Sequence, residues 1–211
     1  MKRTIWNAFL AACCMFCVLA DLALAASQAG PSRSIIAFEN APPIDVLKQM
    51  ASMLNCELVL DDRVTGKITV MAGNVPRLTA LDLICASIDA RCEIQGGILT
   101  VSPLAKNETP QLILRSKPYT GGLDMGLPSG LRFENVPPGR AMVDVFRSAG
   151  VAYGFYGESL LKGKHVTVDV SNLSIAEAVT RILENSGVKE YKIMQTLEDN
   201  PAYIIFTPAG R

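Results

Sequence analysis

Side chains suited to chemistry are few in this chain, and their spacing decides what they can do. His165 is the only histidine, so neither a histidine metal cluster nor a histidine-centred triad can be assembled, and the residue reads as a surface or strand-edge position. Asp61 and Asp62 form an adjacent pair of carboxylates of the type used in general acid–base catalysis. They are followed by Arg63 and Gly66, however, and Asp in that setting favours a turn. Gly66-Lys67 and Gly163-Lys164 have the Gly-Lys pair that ends a phosphate-binding loop, but the upstream glycine and the following helix are missing. Met50, Met53 and Met71 offer soft thioether ligands, although Met50 and Met53 fall on a helical apolar stripe and read as core filling. The expectation is a protein without a catalytic site, a cofactor or a metal.

The amino terminus reads as an export signal: Lys2 and Arg3, an apolar run from Ile5 to Ala20, then Ala23-Leu24-Ala25 as a small-x-small cleavage site. Cleavage between Ala25 and Ala26 removes 25 of 211 residues and leaves 186. Two readings compete with it. An uncleaved Ile5–Ala25 run is long enough for a membrane anchor, and Leu10-Ala11-Ala12-Cys13 resembles a lipoprotein signal that would acylate Cys13. Export to the periplasm, with association at the outer membrane as a variant, is the expected location, and no integral span remains once the signal is gone. Loss of Lys2, Arg3 and Asp21 leaves 18 basic and 19 acidic side chains of the original 20 and 20, so there is no basic excess to hold nucleic acid. Cys56, Cys85 and Cys92 stay in the mature chain. In an oxidising compartment one bridge and one free thiol is the simplest allocation. Three free buried thiols are the alternative. Cys85 sits at an inward helical position, and the absence of a CxxC spacing argues against redox catalysis.

These residues are carried by a repeat. Phe38-Glu39-Asn40-Ala41-Pro42-Pro43 recurs as Phe133-Glu134-Asn135-Val136-Pro137-Pro138, at an offset of 95. Gly66-Lys67-Ile68-Thr69-Val70 recurs as Gly163-Lys164-His165-Val166-Thr167-Val168, with His165 inserted, and Ile84-Cys85 answers Ile182-Leu183. The closing stretch Ile98 to Pro103 is matched to Tyr203 to Pro208. Within a copy, Ile35, Ile36 and Phe38 read as a strand ended by Asn40 and the prolines, and Pro43 suits a first helical turn. Val46, Leu47, Met50, Met53 and Leu54 recur at helical spacing, with Asn55, or Gly150 in the second copy, closing that helix. Strands at Leu58–Leu60 and Ile68–Val70, a helix from about 79 to 87, and a hairpin turning at Gly96-Gly97 complete the order β-α-β-β-α-β-β, twice. The expected fold class is therefore α+β, with copies over 34–103 and 130–208. The Gly- and Pro-rich stretch 104–129 between them reads as a protease-sensitive linker, in which Leu112-Ile113-Leu114 could form an extra strand.

The sequence from Ile36 to Met53, Leu58-Val59-Leu60-Asp61, Gly66 to Val70 and the helix around Ala80-Leu81-Asp82-Leu83-Ile84 resembles the secretin and TonB short N-terminal domain family. The second copy departs from it at Ala152-Tyr153-Gly154-Phe155-Tyr156, where the family has a branched-chain strand. The resemblance implies two helices packed between two small sheets in each copy. It also implies a non-enzymatic periplasmic role, with envelope partners such as a secretin, a TonB-dependent receptor or a regulator, and room for oligomerisation. In that fold the strands opened by Cys56 and Cys92 share a sheet, which implies a Cys56–Cys92 disulfide with Cys85 reduced. The competing reading is a small-ligand binder or enzyme using a cleft between the copies.

Overall fold

Runs of branched and aromatic residues bounded by Asn, Pro and Gly become the strands, and the apolar stripes at helical spacing become the helices. A computed structural model describes residues 33–199 and 201–207. The cleavage point at Ala25 and Ala26, the alternative anchor and Cys13 lie outside the described residues. In the first half the elements are β1 (Arg33–Ala41), α1 (Pro43–Leu54), β2 (Glu57–Leu60), β3 (Ile68–Pro76), α2 (Arg77–Ser87), β4 (Ala90–Gln95) and β5 (Ile98–Pro103). A short α3 (Gln111–Leu114) and β6 (Ser116–Pro118) follow. In the second half come β7 (Arg132–Val136), α4 (Pro138–Ser148), β8 (Tyr153–Tyr156), α5 (Glu158–Lys162), β9 (Val166–Asp169), α6 (Ile175–Ser186), β10 (Lys192–Thr196) and β11 (Tyr203–Phe206). The fold is thus α+β, with several sheets.

The recurring Phe-Glu-Asn-x-Pro-Pro motif has a backbone cause. Asn40 and Asn135 both adopt the left-handed region, at φ 53° and 52°, which Asn tolerates better than most residues. Each sits where the edge strand slips register against its partner, between Phe38 and Ala41 and between Phe133 and Val136. The Asn40 amide donates to Thr69 Oγ1 at 3.1 Å, and the Asn135 amide donates to Thr167 Oγ1 at 3.0 Å. The two recurring motifs are therefore the two sides of one bulge, made twice. Pro43 and Pro138 then open α1 and α4.

Strand pairing repeats as well. β2 runs parallel to β5, and β4 antiparallel to it; β8 runs parallel to β11, and β10 antiparallel to it. β1 pairs antiparallel with β3, as β7 does with β9. The pairs do not remain separate. β3 also pairs antiparallel with β8, which produces a six-stranded sheet in the order β1-β3-β8-β11-β10-β6, beside the sheets β2-β5-β4 and β7-β9.

Alternation along the shared sheet feeds two cores, because successive side chains point to opposite faces. Val70, Ala72, Tyr156, Ile204 and Phe206 join α1 and α2 in one core, whereas Tyr153, Phe155, Tyr203 and Ile205 join α4 and α6 in the other. Helix α2 lies between the six-stranded sheet and the three-stranded sheet, so Ala80, Leu81, Leu83, Ile84, Cys85 and Ala86 are all buried, on every side of the helix.

Three expectations need correction here. The 104–129 stretch is not a loose linker: Leu112, Leu123 and Leu127 are buried, and the amides of Leu127, Ile175 and Ala176 bond across to Leu173, Met125 and Leu123. Leu112-Ile113-Leu114 is helical rather than a strand. The closing strands match one residue out of the expected register, since Leu99 and Val101 face the first core while Tyr203 and Ile205 face the second. Leu58 pairs with Leu99 as Tyr153 pairs with Tyr203, so Leu99 answers Tyr203. A one-residue slip exchanges the faces of a strand.

Candidate interaction surface

Residues that could do chemistry are kept apart by this fold. Asp61 closes a turn: its Oδ1 accepts the Arg63 amide at 2.9 Å and its Oδ2 accepts Arg63 Nη2 at 2.7 Å. Those hydrogen bonds hold the Asp61 carboxyl far below its usual range, so it stays an acceptor, and it is unsuited to carry a proton near neutrality. Gly66-Lys67 leads into β3, and Gly163-Lys164 into β9, so strands follow where a phosphate loop needs a helix. Met50 and Met53 belong to the first core and Met71 to the second, on the opposite face of β3. Among the described residues no three His, Cys, Asp or Glu side chains come together as a metal site.

Cysteine pairing differs from the expectation. Cys92 bridges to Cys85, with Cα atoms 6.3 Å apart, and Cys56 is free, donating to the Leu54 carbonyl at 3.5 Å. The Cys56–Cys92 bridge fails on geometry. β2 and β4 flank β5 on opposite sides, with Glu57 level with Ile98 and Cys92 level with Val101. Two strand spacings and about four residues of rise place Cys56 and Cys92 on the order of 16 Å apart, well beyond disulfide reach. Helix α2 packs on β4, and that puts Cys85 within reach instead.

His165 is exposed, with Nδ1 3.2 Å from Asn135 Oδ1. It lines a cleft of about 440 Å³ between the halves, together with Glu39, Thr69, Arg140 and Lys162. The charges in this cleft are already matched. Lys162 Nζ lies 3.8 Å from Glu39 and 3.5 Å from Glu158, and Arg140 Nε donates to Asp144 at 3.3 Å.

Sheet edges are the other open feature, and they are protected unequally. β6 is three residues long and ends in Pro118, both devices that blunt an edge. On β4, Arg91 pairs with Glu93 and reaches Glu108 at 3.0 Å, which puts charges along that edge. β2, β7 and β9 are short, at four, five and four residues. β1 is different: it has nine residues, among the described residues it pairs with β3 alone, and Ile35 is 70% exposed on it.

The junction between the halves depends on a glycine. A Cβ built on Gly154 would meet Leu83 Cδ1 at 2.5 Å and Ile204 Cδ1 at 3.0 Å, so only glycine lets α2 seat on β8. In the first half, exposed Val59 and Thr100 pair where Gly154 and Ile204 pair in the second. Exposed Arg181 takes the place in α6 that Leu83 holds in α2.

Asp82 and Arg115 form a site that sequence reasoning missed. Asp82 is buried and its Oδ2 accepts Arg115 Nη1 at 3.2 Å, while the Thr79 hydroxyl donates to Glu198 Oε1 at 2.8 Å. Burial outweighs the guanidinium and pushes the Asp82 carboxyl up to about 6. The signal available in the sequence was an acid inside an otherwise apolar helix, Ala80-Leu81-Asp82-Leu83-Ile84.

Comparison with protein-family models, with curated proteins and with solved structures gives no match. Among the described residues no helix is long and apolar enough to cross a membrane.

Proposed function

We propose that this protein is a non-enzymatic interaction component of the bacterial envelope, made of two modules of the secretin and TonB short N-terminal type. In this reading it serves an outer-membrane secretin or a TonB-dependent transport system as an accessory or signalling part. The observation that carries it is the free edge of β1. A strand nine residues long at the end of a six-stranded sheet, regular from Ile35 to Phe38 between its two bulges, is a template on which a partner can add a strand. Alternation along the regular stretch puts Ile35 and Ala37 on the exposed side and Ile36 in the core, so a partner's side chains can pack on the first two. The sequence supplies the export signal and the family resemblance, and both copies of the recurring motif build bulges at strand edges.

The test is capture from envelope extract with the mature chain and with an Ile35→Lys/Ala37→Lys variant. Edge lysines oppose strand addition without touching either core. The reading expects a secretin, receptor or regulator to be retained by the wild type and lost with the variant. Equal retention by both forms refutes strand addition at β1.

A further inference from the structure

A second surface lies where α2 meets α3, β6 and the β10–β11 connection; Pro76, the register partner of Arg33 in β1, also lines it, so separate variants in each surface distinguish it from the β1 reading. Large apolar side chains are mostly buried in this fold, yet Leu78 (48%), Leu114 (61%) and Leu197 (63%) are all exposed and line the same cleft of about 330 Å³. They come from α2, from α3 and from the connection between β10 and β11, which the backbone ties together: the Leu197 amide donates to the Arg115 carbonyl at 3.0 Å. Buried Leu112 also lines it. Contiguous exposed apolar surface with a polar rim marks binding sites rather than ordinary solvent-facing surface.

The polar groups of the cleft are unbalanced. Asp82 and Glu198 bring two carboxylates, and Arg115 brings the one guanidinium that reaches Asp82. Glu198 takes the Thr79 hydroxyl as its donor, which satisfies a lone pair but neutralises no charge. Covering the leucines would strip water from this extra carboxylate, and a desolvated charge needs an opposite charge beside it. An anionic occupant is excluded by the same reasoning, and a wholly apolar one leaves Glu198 unpaired.

We propose that this cleft is a docking site for a partner protein's segment that places an apolar side chain among Leu78, Leu114 and Leu197 and an adjacent lysine or arginine against Glu198. The partner's apolar group supplies the contact area, and its cation supplies the charge that Glu198 lacks. Such a segment needs only a few residues, which suits a cleft at the low end of ligand-site volumes.

The experiment is selection of a random peptide library on the full mature chain, followed by binding measurements on the enriched peptides by fluorescence anisotropy. The expected result is enrichment of sequences with an apolar residue beside lysine or arginine. Their Kd should weaken by about tenfold or more with Leu197→Glu and by several-fold with Glu198→Gln. Ile35→Lys should leave it unchanged. Leu197 and Glu198 are exposed, so circular dichroism identical to wild type should accompany these losses. The proposal is overturned by the absence of enrichment, by acidic or purely apolar sequences, or by binding indifferent to Leu197→Glu. A dimer in sedimentation that Leu197→Glu dissolves also overturns it, since the occupant would then be a second copy.

Discussion

Asp82→Asn should make the protein more stable at neutral pH, although it deletes one half of a buried ion pair. In the folded chain the carboxyl is raised from 3.8 to about 6, first by desolvation inside α2 and next to that by the nearby Glu198 charge, against the attraction of Arg115. A raised carboxyl binds its proton more tightly in the folded state than in the unfolded one. Its contribution to stability is therefore greatest below pH 4, falls as pH rises through the 4–6 window, and stays at its lowest above pH 6. The shift of about two units corresponds to roughly 3 kcal/mol, and asparagine keeps the shape while removing the charge. Arg115 is about half exposed, so water can solvate it once Asp82 is neutral. We expect Asp82→Asn to gain on the order of 1–3 kcal/mol at pH 7 and nothing at pH 4. Urea denaturation of both proteins from pH 4 to pH 8 gives the answer, and subtracting one curve from the other cancels the remaining carboxylates. Asp169 among them is lowered to about 2 by its bonds to Ser171 and Arg132, so its contribution is lost on the acid side instead. A loss of stability at pH 7, or a difference that shrinks as pH rises from 4 to 6, would show that the Arg115 pair outweighs desolvation and would refute the reasoning.

Peptide mapping without reduction should recover Cys85 joined to Cys92 and a single alkylatable thiol at Cys56; a Cys56–Cys92 peptide contradicts the placement of α2 on β4. Gly154→Val forces Leu83 and Ile204 away from β8 and should cost about 1–3 kcal/mol in chemical denaturation, whereas a neutral result would mean that the halves do not share a sheet. Asn40→Val and Asn135→Val put branched side chains in the left-handed region and should each cost about 1–2 kcal/mol, with Asn→Gly at the same positions close to neutral; equal effects of Val and Gly would remove the backbone explanation of the repeated motif.

Much of the architecture was legible because it rests on local signals. Asn40 with Pro42 and Pro43, Asn55 at the end of α1, and Gly96-Gly97 between β4 and β5 each have a backbone reason that sequence displays directly. Packing between the halves was not legible in the same way. Ala152-Tyr153-Gly154-Phe155-Tyr156 lacks the branched-chain pattern expected there because Gly154 makes room for Leu83, a contact that only the folded chain displays. Helix α2 is covered on two faces, so the inward stripe that includes Cys85 understates its burial: Ala80 and Leu83 are buried too, and the isolation of Asp82 among them stays hidden. The glycines and prolines of 104–129 suggested a linker, since composition outweighed the three leucines at 112, 123 and 127 that tie the stretch down. For the cysteines, sharing a sheet was the wrong criterion: β5 stands between β2 and β4, and the nearer sulfur lay on the helix above. The β1 edge and the cleft around Glu198 depend on which surfaces other elements leave uncovered, so neither had a sequence signal of its own.

The most direct test of the interaction reading is amide hydrogen exchange along β1, measured on the mature chain alone and bound to the partner retained in envelope capture. Strand addition predicts that amides between residues 33 and 41 gain protection in the complex, while those of β7 and β9 keep their free-state rates. Unchanged exchange across β1 in a saturated complex, with new protection confined to other segments, would contradict it.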